Sequence, residues 1–315
     1  MNRKPIITSI QTYYLTKSEK KLFKKEKPWG IILFKRNIKS FQQVKLLTYS
    51  IRKILKDPYY PILVDEEGGD VSRFSDLINS KELSQKFFGN IYEKNKNNGK
   101  KIYRYYLNST CSVLREAGIN INTVPVLDIL HKKTAKILKN RCFSSDKKNI
   151  RILGKLCVTV LKKNKIGSVS KHIPGHGATN IDSHKSCPIV LDSIKKLGLK
   201  DFFPFKNINS NFVMTAHILY KKIDPNFVAT QSKIVLKKII RDKINFKGLI
   251  MSDDIGMKAL KGNLLSNAKK SLQSGCNLIL YCGGNTNDSS LLLKGTNKID
   301  KFTVKKTQQF YRFLR

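Results

Sequence analysis

Four of the five histidines in this 315-residue chain stand where short apolar runs give way to polar, acidic or glycine-rich clusters. Lys171-His172-Ile173-Pro174-Gly175-His176-Gly177 is followed by Asp182-Ser183-His184, and Thr215-Ala216-His217 ends another run. Val64-Asp65-Glu66-Glu67-Gly68-Gly69 leads to Arg73, Asp128 precedes Asn140-Arg141-Cys142-Phe143, and a further run ends in Ser252-Asp253-Asp254. This mixture suits sugar chemistry. Asp65, Arg73, Arg141, Lys171 and His172 are types that grip hydroxyls through charge-assisted hydrogen bonds. Asp253 is a candidate nucleophile at an anomeric carbon. His184 titrates near neutrality, which suits proton donation to a leaving group and later activation of water. Asp182, two residues earlier, is placed to orient that imidazole. Pro174, Gly175 and Gly177 exclude a regular helix and predict a loop able to move over a ligand.

Each residue also has a purely structural reading. His172 and His217 serve equally well as hydrogen-bonded packing residues, and His176 in its glycine-flanked turn reads as structural. Asp254 is expected to cap the next helix, Asp128 to support its neighbours, and Glu66 and Glu67 to satisfy the mouth of the fold. A metal site at His172, His176, His184 and Asp253 is the main chemical rival, but their spacing lacks the one-face helical logic of H-E-x-x-H. The expectation is no metal and no cofactor.

Eight candidate strands carry these clusters: Ile6–Thr12, Gly30–Phe34, Tyr60–Val64, Asn120–Leu127, Gly167–Lys171, Asn211–His217, Gly248–Ser252 and Asn277–Tyr281. Between them lie segments with helical periodicity. In Ser40–Leu55, the residues Phe41, Val44, Leu47, Ile51 and Leu55 mark one face, and Arg104–Leu114, Ile150–Leu161 and Ile234–Ile244 repeat the pattern. Gly118 and Gly275 read as helix C-caps. Glu93–Lys101 reads as an exposed loop, and the last ~35 residues as a closing helix. Strand–helix alternation of this length predicts an α/β fold, a (β/α)₈ TIM barrel, with residues 1–315 as a single catalytic domain. A doubly wound sheet lacks support because no G-x-G-x-x-G follows any strand. In a barrel the loaded clusters would all meet at one end.

Bulk properties exclude other classes. No run reaches the ~18 apolar residues of a membrane span, and the N-terminus reads as a strand rather than a signal peptide. The six cysteines form no Cys-x-x-Cys pair, which fits a reducing cytoplasm. The formal charge of +39 points to a basic nucleic-acid-binding protein, the alternative from another class. Of 61 cationic side chains, however, only 11 are arginines, and the lysines form no single stripe. The excess therefore reads as a property of the outer shell, with no specific nucleic-acid partner and no membrane partner.

The motifs together resemble the single-domain bacterial β-N-acetylhexosaminidases of glycoside hydrolase family three, which act in peptidoglycan recycling. Gly30-Ile31-Ile32-Leu33-Phe34-Lys35-Arg36-Asn37, the Asp65–Gly69 and Arg73-Phe74 stretch, the Lys171–Gly177 and Asp182-Ser183-His184 stretch, Met214–His217 and Ser252–Asp254 occur in the family's order. The resemblance implies a retaining, two-step mechanism. Asp253 would form a covalent glycosyl-enzyme with a terminal N-acetylglucosamine, and His184 with Asp182 would act as acid and then base. Asp65, Arg73, Arg141, Lys171 and His172 would bind the sugar. The implied substrate is N-acetylglucosamine linked β-1,4 to anhydro-N-acetylmuramic acid, with or without peptide, handled in the cytoplasm by a monomer or weak oligomer. A phosphorylase or a β-glucosidase of the same family is the alternative. The chain departs from the family pattern at Glu66 (usually Gln), Asp70 (usually Arg), Ala178 (usually Asp) and in its first strand. None of these removes a candidate catalytic group.

Overall fold

The computed structural model describes residues 1–183 and 185–315. Eight of its strands close into a parallel barrel: β1 Lys4–Thr8, β2 Pro28–Leu33, β3 Ile62–Val64, β4 Ile121–Asn122, β5 Gly167–Ile173, β6 Phe212–Thr215, β7 Leu249–Asp254 and β8 Leu278–Tyr281. Each pairs with its neighbours in sequence, and β1 closes the ring against β8 with Ile6 opposite Ile279 and Thr8 opposite Tyr281. The expected (β/α)₈ barrel is therefore the observed fold, and all eight candidate runs contribute strands. Five observed strands are shorter than their candidate runs, most of all β4, whereas β2, β5 and β7 are longer, β5 and β7 running on through His172 and Asp253 into the mouth.

Strand residues are buried on both faces, as a parallel sheet covered by helices requires. Ile7, Ile32, Leu63, Ile121, Val169, Met214, Met251 and Leu280 form one buried cluster with Trp29 and Phe310. Their alternate neighbours Ile6, Ile31, Ile62, Val213, Ile250 and Ile279 join a second cluster with the helix residues Val44, Leu47, Leu114, Leu153, Cys157 and Ile239. In the helix Phe41–Leu55 the predicted stripe is buried at Val44, Leu47 and Ile51, while Phe41 lies at its edge and stacks on Phe74. The segment read as Ile234–Ile244 is helical over Val235–Lys243, wound as a π-helix.

Two expectations are corrected. Glu93–Lys101 is not a loop but the junction of helices Gln85–Lys94 and Lys96–Glu116. Asn95 caps the second helix by accepting from the backbone N–H groups of Asn97 and Asn98, so a polar composition conceals a helix start. The C-terminal region holds two helices, Thr286–Gly295 and Lys301–Leu314, split by the irregular segment 296–300. The second closes the N-terminal end of the barrel. Phe310 meets the Phe212 ring edge-on at 5.1 Å, and Trp29 Nε1 donates to Thr307 Oγ1 at 2.9 Å. With that end plugged, the opposite rim carries the polar clusters.

Gly118 and Gly275 follow helices with φ of 71° and 123°, as expected of C-caps. All six cysteines are free thiols. No helix among the described residues is long and apolar enough to cross a membrane.

Candidate active site

The tightest part of the rim is a charge network spanning three strands. Lys171, buried on β5, places Nζ 2.7 Å from Glu67 Oε1 and 3.2 Å from Asp65 Oδ1. Its third donor reaches Thr123 Oγ1 at 2.8 Å. Glu67 also receives Arg141 in a two-pronged contact, Nε to Oε2 and Nη2 to Oε1, both 2.8 Å. Asp65 accepts from Arg73 Nη2 at 2.9 Å and from the Thr123 hydroxyl. Burial alone would raise both carboxyls. The surrounding cations outweigh it, pulling Glu67 down to about 2 and Asp65 well below the usual carboxylate range. Both acids are therefore ionised, and every cation in the network has an acidic partner. Gly68 and Gly69 let the chain turn from this network into the following loop. Both have positive φ, and a Cβ on Gly68 would lie 2.3 Å from the Leu83 carbonyl oxygen.

Arg73 lies over the Phe34 ring at 5.1 Å, and Arg36 lies over the same ring at 4.8 Å. Arg36 also donates to the carbonyls of Ile10 and Cys282, tying the loops after β1 and β8 together. The Gly30–Asn37 motif thus ends in a clamp on the rim.

A second network orients the histidines. Asp128 lies wholly buried and accepts from His172 Nδ1 at 2.7 Å and from the backbone N–H of His176 at 2.6 Å. Arg141 Nη2 stands 3.4 Å from His172 Nε2. His176 is buried, with Nε2 3.1 Å from Ser183 Oγ. Burial, reinforced by the nearby His172, lowers its pKa to about 4, so it is neutral at pH 7. The peptide bonds Lys171–His172 and Ile173–Pro174 are cis. His217 sets Nδ1 2.7 Å from Thr230 Oγ1 and Nε2 3.0 Å from the Asp254 carbonyl oxygen, bridging the ends of β6 and β7.

Asp253 ends β7 half-buried, and Oδ1 accepts the Asp254 backbone N–H at 2.8 Å. Among the described residues that is the one hydrogen bond of its side chain. Burial would raise its pKa, but His172, His217, the Asp254 N–H and Lys171 together lower it. Unlike Asp65, Glu67 and Asp128, it is ionised with one oxygen free of hydrogen bonds among the described residues. Asp254 is no helix cap, contrary to expectation. The next helix starts at Leu264 with Asn263 as its cap, and Asp254 Oδ1 instead accepts from the N–H groups of Gly256 and Cys282. Asp182 is half-buried in the loop after β5, and its carbonyl accepts from the N–H groups of Lys185 and Ser186. His184 lies outside the described residues.

The rim therefore brings together Asp65, Arg73, Arg141, Lys171 and His172, with Asp253 close enough for His172 and Lys171 to contribute to lowering its pKa. Two participants escaped sequence reading: Thr123 bonds both Asp65 and Lys171, and Phe34 lies beneath two guanidiniums. A lone Thr within the run Asn120–Leu127 was the only local signal for the first. Glu67, expected to satisfy the mouth, is the hub for two cations.

Glu66 is the neighbour that stays apart. Its Oε2 accepts the N–H groups of Arg73 and Phe74 at 2.8 and 3.2 Å, yet burial still raises its pKa. A carboxyl with a raised folded pKa stabilises most when protonated, and that contribution fades as pH rises. Glu66→Gln is expected to raise Tm at pH 7, with the gain shrinking as pH falls toward 4. Thermal melts across that range check it, and a pH-independent difference would refute it.

Comparisons with known proteins agree with this architecture. The model of the glycosyl hydrolase family 3 N-terminal domain matches residues 9–308. A β-hexosaminidase of Nitrosospira multiformis is 31% identical over 287 residues, covering 90% of this chain and 81% of its own. One from Psychromonas ingrahamii is 32% identical over 317 residues, covering 98% and 89%. The crystal structure of NagZ from Neisseria gonorrhoeae with N-trifluoroacetyl-D-glucosamine superposes with a TM-score of 0.89 at 29% identity, covering 100% of this chain and 91% of that one. The chain belongs to glycosyl hydrolase family 3 and is a glycoside hydrolase of the β-hexosaminidase type.

Proposed function

We propose that the protein is a retaining exo-β-N-acetylglucosaminidase in which Asp253 attacks the anomeric carbon and carries the covalent glycosyl intermediate. The observation that supports this most is the contrast among the rim acids. Asp65, Glu67 and Asp128 are tied to cations or histidines, whereas Asp253 is ionised with one oxygen open. An attacking carboxylate needs that combination. His184 is read as the general acid and then the base, with Asp182 orienting it. Arg73, Arg141, Lys171 and His172 are read as sugar-binding groups held by Asp65, Glu67 and Asp128; the two arginines keep donors beyond those pairings, and Lys171 would exchange its Thr123 contact for a hydroxyl. Pre-paired cations of this kind are rigid, so little side-chain entropy is lost on binding.

The substrate in this reading is N-acetylglucosamine linked β-1,4 to anhydro-N-acetylmuramic acid, with or without its peptide, released by peptidoglycan turnover and hydrolysed in the cytoplasm. Three measurements test the reading. The first sugar product is expected as the β-anomer by NMR, since double displacement retains configuration. A 5-fluoro-N-acetylglucosaminyl donor is expected to label the peptide containing Asp253. In phosphate buffer, free N-acetylglucosamine is expected rather than its 1-phosphate. An α-anomer or label on another residue would refute the mechanism, and accumulation of the 1-phosphate would make the protein a phosphorylase.

A further inference from the structure

The loop between β5 and the small strand Ile189–Val190 carries Asp182, and its first limb is fastened to the loop after β4. Thr134, buried, does this with one hydroxyl: Oγ1 accepts the His131 backbone N–H at 2.7 Å and donates to the Gly177 carbonyl at 2.8 Å. One residue on, the Ala135 N–H donates to the Thr179 carbonyl at 3.0 Å. His131 Nε2 lies 2.9 Å from Asp201 Oδ1, and the buried Asp201 packs against Gly175, where a Cβ would stand 2.8 Å from the Asp201 Cβ. Contact at Gly177 is closer still, since a Cβ there would fall 1.8 Å from the Ile129 carbonyl oxygen. Tyr220 Oη adds a bond to the Gly175 carbonyl. Among the described histidines, His131 is the one that the rim networks do not use.

We infer that Thr134 and His131 are positioning residues for the acid/base machinery: they fix the Gly175–Thr179 limb, and through it set where Asp182 stands relative to Asp253. This inference rests on the reading of the Asp182–His184 segment as the acid/base element. The physical basis is simple. A single hydroxyl here accepts from its own loop and donates to the other at once, and proton transfer tolerates little displacement. A shift of about 1 Å in such a group costs on the order of 100-fold in rate.

The test compares two N-acetylglucosaminides, one with a poor leaving group (4-methoxyphenyl) and one with a good one (2,4-dinitrophenyl). The latter departs without a proton. Thr134→Val keeps the shape and deletes both bonds. It is expected to lower kcat/KM about 10- to 100-fold for the poor leaving group and within about threefold for the good one. Thr134→Ser is expected to recover most of the loss, and His131→Gln to show the same leaving-group bias more weakly. Asp182→Asn separates the two levels of inference. If it lacks the bias, the acid/base reading fails. If it shows the bias and Thr134→Val loses both substrates equally, the positioning role is overturned and Thr134 is merely structural. Should Thr134→Val not fold, the bias in His131→Gln decides.

Discussion

Replacing Asp253 with alanine is expected to lower kcat/KM for a chromogenic N-acetylglucosaminide by roughly 10⁴-fold or more, about 5.4 kcal/mol of lost transition-state stabilisation. Asp253 is half-buried and, among the described residues, its carboxylate makes one backbone hydrogen bond, so its removal leaves only the Asp254 N–H there without a partner. The melting temperature is therefore expected to stay within a few degrees of the parent. The chemistry supplies a second readout. An alanine leaves space at the α-face of C1, where azide ion can take the place of the carboxylate. Millimolar azide is expected to restore turnover of the dinitrophenyl glycoside and to yield the α-glycosyl azide. An active Asp253→Ala enzyme, or rescue that gives the β-azide, would rule out this residue as nucleophile.

Lys171→Met should show the second large effect, in stability as well as activity. Lys171 Nζ is shared by Glu67, Asp65 and Thr123, all at or near the buried rim. Methionine matches the length and removes the charge, leaving two ionised carboxylates with one cation fewer. Breaking a buried pair this way costs on the order of 3–5 kcal/mol, which for a chain of this size lowers Tm by roughly 10 °C. The pH dependence should change as well. Glu67 has its folded pKa depressed to about 2 from 4.5, so its stabilisation is present above pH 4.5 and lost as pH falls toward 2. With Lys171 gone that depression weakens, so the variant is expected to lose less stability on acidification than the parent. The sugar-binding reading adds a loss of kcat/KM of about 100-fold. Unchanged melting across pH 3–7 would show that the network is energetically slack.

The basic character of the chain is explained more narrowly than its magnitude implies. The rim cations Arg73, Arg141 and Lys171 are each neutralised by an acid within 3.2 Å. Most other lysines are exposed. The +39 therefore belongs to the outer shell, where salt screens it, rather than to the site.

Local sequence determined the barrel and the identity of the candidate chemistry. Apolar β-branched runs such as Gly30–Leu33 and Leu249–Met251 have one good use, as strands buried on both faces. The polar residues that end those runs must then share one rim, which brought His172, His217, Asp65 and Asp253 into a single list. Glycine and asparagine caps were legible where they follow an apolar stripe, as at Gly118. They were hidden where a polar stretch itself starts a helix, as at Asn95.

What only the tertiary structure decided is the pairing. Glu67 meets Arg141 74 residues on, and Lys171 reaches back across 106 residues to Asp65. Such contacts leave no trace in spacing, because barrel closure, rather than chain proximity, sets which strand ends are neighbours. The same holds for Asp254, whose carboxylate reaches Cys282 across the β7–β8 seam instead of capping a helix. Residue type fixes what a side chain is able to do. Which partner occupies its lone pairs depends on closure, and that occupancy is what separates the open carboxylate of Asp253 from the held carboxylates of Asp65, Glu67 and Asp128.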